Sequence, residues 1–308
     1  MSSQPPNGPT TPKESNRKTI IFMTVLSLVC AIILSTLASI LQVPKEVAKD
    51  LDRSKQMLLA AKILDYQGRF LIQNDKGEYV VGKYLKDGVI VPGSEGDYAT
   101  NAQILEVYQK RLIPMLTDKN GDEITFQKAG IDLNDYVTDF KKSGYYKQPY
   151  KLFYKILSNP SQDGKIDDKP IGYVIPINGF GLWDAIYGYL AIKTDGNTVI
   201  GISWYDQKET PGLGANISEE PWQSLFPDKQ IFMASPDGKI DYKTAPLGIV
   251  VVKGKVSEVL GDAPKAKSAV DGMAGATLTG NGVTDAYRDV LNAYRPLLIK
   301  INSAQQKS

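Results

Sequence analysis

Ile20 to Leu41 is a run of 22 residues without a charged side chain. At about 1.5 Å of rise per residue a helix of that length matches a hydrocarbon core of about 30 Å, and a helix satisfies its own backbone where no water can. A single transmembrane helix is therefore predicted over 20–41, and the rest of the chain must fold as an attachment to it. The competing reading, a cleaved signal peptide with Thr36-Leu37-Ala38 at the processing site, requires an apolar region of only about 7–15 residues. Lys13, Arg17 and Lys18 precede the run and Lys45, Lys49, Arg53 and Lys55 follow it, so flanking charge does not set an orientation. Cys30, in mid-span, reads as a small packing residue.

Composition narrows the chemistry. The chain has 308 residues, 42% of them hydrophobic, and a net charge of +2, which fits a globular protein and gives no footprint for a nucleic-acid partner. It has no histidine and one cysteine. That removes His-based triads, His ligation of zinc or haem, iron–sulfur clusters held by several thiolates, and an internal disulfide. Neither a Rossmann glycine fingerprint nor a phosphate-binding P-loop motif is present, so redox chemistry here needs an organic cofactor and electrons delivered by other chains.

Along the chain, residues 1–17 are rich in Pro, Ser, Asn and Lys and read as a disordered tail. Val43 to Leu64 places Val47, Leu51, Met57, Leu58, Ala61 and Leu64 among charges, as an amphipathic helix does. Arg69–Gln73 and Glu78–Lys83 flank an Asn74-Asp75-Lys76-Gly77 turn and predict a hairpin, with a loop over Gly88–Asn101 and a helix over Ala102–Leu112. Thr117–Lys169 is polar and carries no motif, so 43–170 is expected to form an elaborated lobe in which Tyr145, Tyr146, Tyr150 and Tyr154 are packing and surface residues. From residue 171 the pattern turns strand-like: Ile171–Ile177, Ile186–Ile192 and Thr198–Tyr205, with further strands over Ile240–Lys255. Asp262–Lys267 is a loop leading to the last motif, and 171–302 is expected to form a second domain.

Three short motifs fall in this part. In Asp271-Gly272-Met273-Ala274-Gly275-Ala276-Thr277, Gly275 and Ala276 leave the main chain almost bare beside the Thr277 hydroxyl, so a phosphate could approach the backbone amides. Val283, Ala286, Tyr287, Val290, Leu291, Tyr294, Leu297 and Leu298 then recur at helical spacing, with Thr279 or Asn281 placed to cap the helix and its positive end facing the loop. Glu209-Thr210-Pro211-Gly212-Leu213-Gly214 combines Pro and Gly in a tight turn. Gly179-Phe180-Gly181-Leu182-Trp183-Asp184 is a Gly-rich connection between strands.

Together these motifs resemble the FMN-binding domain family. The first resembles its flavinylation motif, Asp-Gly-x-Ser/Thr-Gly-Ala-Thr, and the second reproduces its Glu-Thr-Pro-Gly-Leu-Gly signature in full. Ala274 departs from the Ser or Thr preferred there, and Gln207 stands where many members have His. Leu51-Asp52-Arg53-Ser54-Lys55-Gln56-Met57-Leu58-Leu59 separately resembles the stretch after the anchor in the NqrC family of sodium-translocating NADH:quinone reductase components.

The resemblance implies an α+β fold, with a single N-terminal transmembrane helix followed by a mixed α/β FMN-binding domain. It implies FMN bound covalently through a phosphoester to Thr277, with Gly275, Ala276, Leu278 and Thr279 around the attachment and Glu209, Thr210, Leu213, Gly214 and Trp183 at the ring. It also implies electron transfer from NADH towards quinone, coupled to Na⁺ export within a multi-subunit membrane complex, and a flavin transferase during maturation. The location implied is the bacterial inner membrane, single-pass, with the large domain on the periplasmic side. The related RnfG component of ferredoxin:NAD reductases, and a membrane-tethered flavin sensor, are the other readings.

Overall fold

The computed structural model describes residues 16–306 apart from residue 75. Helix α1 (Asn16–Ala60) contains Arg17–Gln42, a stretch with mean hydropathy 2.6 and no buried residue, long and apolar enough to cross a membrane. Only the last two residues of the expected tail, Asn16 and Arg17, lie among the described residues, and both are helical. The chain forms two compact units, divided after Asp50.

The larger unit, from Leu51 onward, begins with the last turns of α1. Met57, Leu58, Ala61 and Leu64 are buried, as their spacing requires. The helix ends where Lys62 takes φ 55° and the Ile63 N–H turns back to the Leu58 carbonyl at 2.9 Å. β1 (Phe70–Gln73) and β2 (Tyr79–Tyr84) form the expected hairpin, and β3 (Ile90–Pro92) adds an antiparallel third strand within what reads from sequence as loop. α2 (Asn101–Arg111) starts at a capping box in which Thr100 and Gln103 bond reciprocally.

β4 (Leu112–Thr117), β5 (Glu123–Ile124), α3 (Phe126–Ala129), α4 (Leu133–Phe140) and β6 (Lys151–Leu157) follow, then β7 (Pro170–Phe180), β8 (Ala185–Lys193) and β9 (Val199–Asp206). The strands make one antiparallel six-stranded sheet in the order β5-β4-β6-β7-β8-β9. The change of composition at residue 170 therefore falls inside a sheet: β5 and β6 come from the polar stretch, and β6 pairs with β7. Tyr145 and Tyr154 are buried there, whereas Tyr150 stays exposed.

After β9 regular structure thins out. α5 (Glu220–Gln223), β10 (Val250–Val251), α6 (Val256–Val259) and β11 (Ala269–Val270) are short, and β10 and β11 pair in parallel. Of the strands expected over Ile240–Lys255 only β10 forms. Asp241, Pro246 and Gly248 interrupt the apolar residues, and the Thr244 and Ala245 N–H groups both close a turn on the Asp241 carbonyl.

Two turns in the unit repeat one another. Ser161-Gln162-Asp163-Gly164-Lys165-Ile166-Asp167 and Ser235-Pro236-Asp237-Gly238-Lys239-Ile240-Asp241 share a seven-residue pattern. In each, the serine hydroxyl donates to the Asp two residues on at 2.5 Å and meets the Lys carbonyl at 2.8–2.9 Å, with the glycine at φ 80°.

Helix α7 (Thr277–Gln305) closes the unit. The eight residues read as its apolar stripe are each 4% exposed or less. They pack with Tyr173, Ile175, Ile177, Leu190 and Ile192 on one face of the sheet, while Val174, Tyr189 and Ala191 point to the opposite face and a second apolar cluster. Trp204 Nε1 donates to the Tyr287 hydroxyl at 3.1 Å, and the Tyr294 hydroxyl donates to the Leu152 carbonyl at 2.5 Å, so the buried polar tips on α7 are satisfied.

Candidate functional site

Three segments distant in sequence meet at the N-terminus of α7. The first is the β7–β8 connection, in which Phe180 pairs with Ala185 and the Gly181 N–H donates to the Asp184 carbonyl at 2.9 Å. A tight turn of this kind pushes side chains outward: Phe180 is 74% exposed and Trp183 67%.

The second is the turn after β9. Pro211 followed by Gly212 at φ 76°, with the Leu213 N–H on the Thr210 carbonyl at 3.1 Å, is the arrangement that Pro-Gly favours. It sets Leu213 on the surface and buries Gly214. Trp183 Nε1 donates to Thr210 Oγ1 at 3.1 Å, fastening the indole edge across the two segments while its faces stay open. Beside them Lys208 Nζ lies 2.6 Å from Asp184 Oδ2, and that hydrogen bond holds the Asp184 carboxyl below the usual carboxylate range. Gln207 supports the turn from behind, accepting the Glu209 N–H and donating to Ser218 Oγ.

The third is the loop into α7. Gly275 takes φ 74°, a conformation that favours glycine, and the Ala276 N–H closes on the Met273 carbonyl at 3.1 Å. The helix begins at Thr277 with Ala276 as its cap residue. Neither Thr279 nor Asn281 caps it, contrary to the sequence expectation: the chain already turns at Gly275, so Thr279 lies inside the first helical turn, 1% exposed. No side chain caps the first turn and no acidic residue lies in it, so its amides leave a positive helix end. Thr277 and Leu278 are exposed, and Ala276 is buried.

On one side of Thr277 lies a cleft of about 360 Å³, its walls including Val252, Lys253, Lys255, Asp271, Ala274 and Asn281. The Gly272 N–H bonds the Gly254 carbonyl at 2.8 Å, and a Cβ on Gly272 would stand 2.0 Å from the Val252 carbonyl oxygen, so a side chain there would force the two walls apart. The Asp271 carboxylate accepts the Val256 N–H at 2.7 Å, and the Asp271 carbonyl accepts Trp222 Nε1 at 3.0 Å. Leu213 reaches the loop, since a Cβ on Gly275 would be 2.9 Å from its Cδ2, and Trp183 is tied to the same turn through Thr210.

The residues read from the motifs thus divide. Thr277, Leu278, Leu213, Trp183 and Thr210 present themselves to the surface, and Gly275 and Ala276 shape the approach. Glu209, 5% exposed, faces inward: Oε1 accepts the Trp183 N–H at 3.0 Å and Oε2 accepts the Thr279 hydroxyl at 2.5 Å, with Gly214 packed on both. Sequence reasoning passes over Phe180, Leu182, Lys253 and Lys255. Two lysines flanking a glycine a short way before the Thr277 motif are the available signal for the last pair.

The arrangement suits a flavin phosphate: an accessible hydroxyl at a positive helix end, lysines in the adjoining cleft, and an apolar rim with aromatic faces for a ring. Residues 181–292 match the model of the FMN-binding domain. Over 309 residues the chain is 39% identical to the C subunit of the Na(+)-translocating NADH-quinone reductase of Chlamydia caviae, covering 96% of this chain and 97% of that one. It is 41% identical over 294 residues to its counterpart in Chlamydia pneumoniae, covering 92% of each. The crystal structure of the same component from Parabacteroides distasonis aligns with a TM-score of 0.51 at 22% identity, over 84% of this chain and 96% of that one. Shewanella oneidensis NqrC aligns at 0.52 and 22%, over 83% and 99%, and these likenesses bear on the fold.

Proposed function

The chain belongs to the NqrC family, the C subunits of Na(+)-translocating NADH-quinone reductases, and from that premise we propose that it is a membrane-anchored electron carrier bearing FMN covalently on Thr277. The observation that carries this reading is the exposed Thr277 on the uncapped first turn of α7, lining a cleft shared with Lys253 and Lys255 and following a loop that Leu213 reaches.

A phosphoester to Thr277 keeps one negative charge on the phosphate. The first-turn amides and the charges of Lys253 and Lys255 favour that anion. Bound FMN supplies the group that takes up and gives back electrons. The chain's own part is to fix it in every redox state, with Leu213, Leu278 and Trp183 offering apolar surface to the ring and Thr210 a hydroxyl at its edge. Donor and acceptor are cofactors of neighbouring subunits, and Na⁺ export is a property of the assembled complex.

Attachment is the work of a flavin transferase. One P–O bond to Thr277 Oγ forms as the pyrophosphate P–O bond of a flavin dinucleotide breaks; a nucleoside monophosphate and the hydroxyl proton leave, and nothing is oxidised or reduced. The intact mass of the purified chain should exceed that of the polypeptide by one FMN less a water. A chain at its unmodified mass, with flavin released on denaturation, would overturn the covalent reading.

Arg17–Gln42 anchors the chain in the bacterial inner membrane, with the large unit on the periplasmic side. Protease added to sealed inside-out vesicles should then remove only the N-terminal tail, and loss of the large unit would reverse the assignment.

A further inference from the structure

Glu209 is a buried carboxylate satisfied by neutral donors, the Trp183 N–H and the Thr279 hydroxyl, while the adjoining Lys208 pairs with Asp184. Burying a carboxyl group costs free energy unless its oxygens are hydrogen-bonded, so its retention in a surface turn calls for a geometric reason. The packing supplies one. A Cβ on Gly181 would stand 2.3 Å from Glu209 Oε1, and a Cβ on Gly214 would stand 2.8 Å from Oε2 and 2.5 Å from Thr279 Oγ1. The carboxylate is 5% exposed, packed against Gly181, Gly214 and Thr279.

What the carboxylate does reach is the β7–β8 connection through Trp183 and the first turn of α7 through Thr279. Residues two apart on a helix point about 200° from one another, so a Thr279 held inward obliges Thr277 to face outward. Thr277 is exposed and Thr279 is not.

We propose that Glu209 and Thr279 are positioning residues for flavin attachment: their hydrogen bond pins the first turn of α7 to the Glu209–Gly214 turn and so presents the Thr277 hydroxyl to the incoming phosphoryl group. This rests on Thr277 being the acceptor. It assigns Glu209 to the scaffold and takes it away from the ring.

The test loads the full-length apo-protein in detergent with flavin adenine dinucleotide and purified flavin transferase, well below the melting temperature of each variant. Covalent flavin is followed by in-gel fluorescence. Thr279→Val keeps the shape and removes the donor; it should reach the wild-type end point about tenfold more slowly, the size of effect expected from a buried acceptor left unpaired. Thr279→Ser restores the hydroxyl and should load within about twofold of wild type by the same reasoning. Glu209→Gln should load and leave the absorption of the attached flavin unchanged.

Wild-type loading rates in Thr279→Val would overturn the proposal, as would a shifted flavin spectrum in Glu209→Gln, which would return that side chain to the ring. Should Thr279→Val fail to fold, Thr279→Ala is read against the same two outcomes. Loading of Thr277→Ala would instead overturn the attachment site itself.

Discussion

The two faces of the six-stranded sheet share the same strands and differ in what covers them. On one, Tyr173, Ile175, Ile177, Leu190 and Ile192 meet α7 and the sparsely structured stretch between β9 and α7. On the other, Val174, Tyr189 and Ala191 meet the end of α1, α2 and α4 in a cluster where tyrosines bond main-chain carbonyls, Tyr136 to Tyr150 and Tyr145 to Val137. Every segment of the candidate site grows from the first face or its covering loops. The second face receives the helix that continues from the candidate span. A sheet divided in this way separates support of the loop before α7 from support of residues 51–60, so equal losses of stability on the two faces should have unequal effects on flavin loading.

The largest expected effect is that of Thr277→Ala, which removes one exposed hydroxyl and no core volume: covalent flavin should disappear entirely while circular dichroism and melting stay near wild type. A denatured band of this variant that still fluoresces would move the attachment elsewhere.

Next comes a matched pair of cavities. Leu291 on α7 is fully buried and Ile104 on α2 is 2% exposed, so Leu291→Ala and Ile104→Ala should each cost about 2–5 kcal/mol. Only the first lies in the cluster that carries the cofactor loop, and only it should slow flavin loading at temperatures where both variants remain folded. Equal slowing in both would erase the distinction between the faces.

Leu213→Ala is a smaller change. Thr277 still holds the flavin, but the rim loses an apolar contact, so the absorption spectrum should shift and quinone reduction in the assembled complex should slow. An unchanged spectrum and rate would make the turn purely structural.

The smallest effect concerns Lys208 and Asp184. Their hydrogen bond depresses the Asp184 carboxyl in the folded chain, so its contribution is present above the unfolded carboxylate value and lost as pH falls through the folded one. Lys208→Gln should therefore melt slightly below wild type near neutrality, and the two curves should converge in acid.

Much of this is legible in the sequence. The stripe from Val283 to Leu298 has a strict helical period, and each of its members is buried. The strands around Ile171–Ile177, Ile186–Ile192 and Thr198–Tyr205 match to within a few residues, because β-branched and aromatic runs broken by glycines leave few alternatives. Sequence alone misplaces the start of α7 because Thr and Asn are strong caps in isolation, whereas Gly275 at positive φ turns the chain before either is reached. The family resemblance sets Glu209 at the ring, whereas its side chain is only 5% exposed. Its burial depends on a threonine 70 residues away, a pairing that no local pattern announces.

The twin turns at Ser161 and Ser235 have a consequence for how the chain reaches this state. Their hydrogen bonds span four residues or fewer and are the same in two surroundings, so each can close from its own heptapeptide without waiting for a tertiary partner. Loops of that length close in well under a microsecond. One turn precedes β7 and the other lies in the long irregular stretch before β10, where little regular structure limits the search. Early closure at both places shortens the effective chain that must still find its partners, and it does so most where the folding problem is hardest.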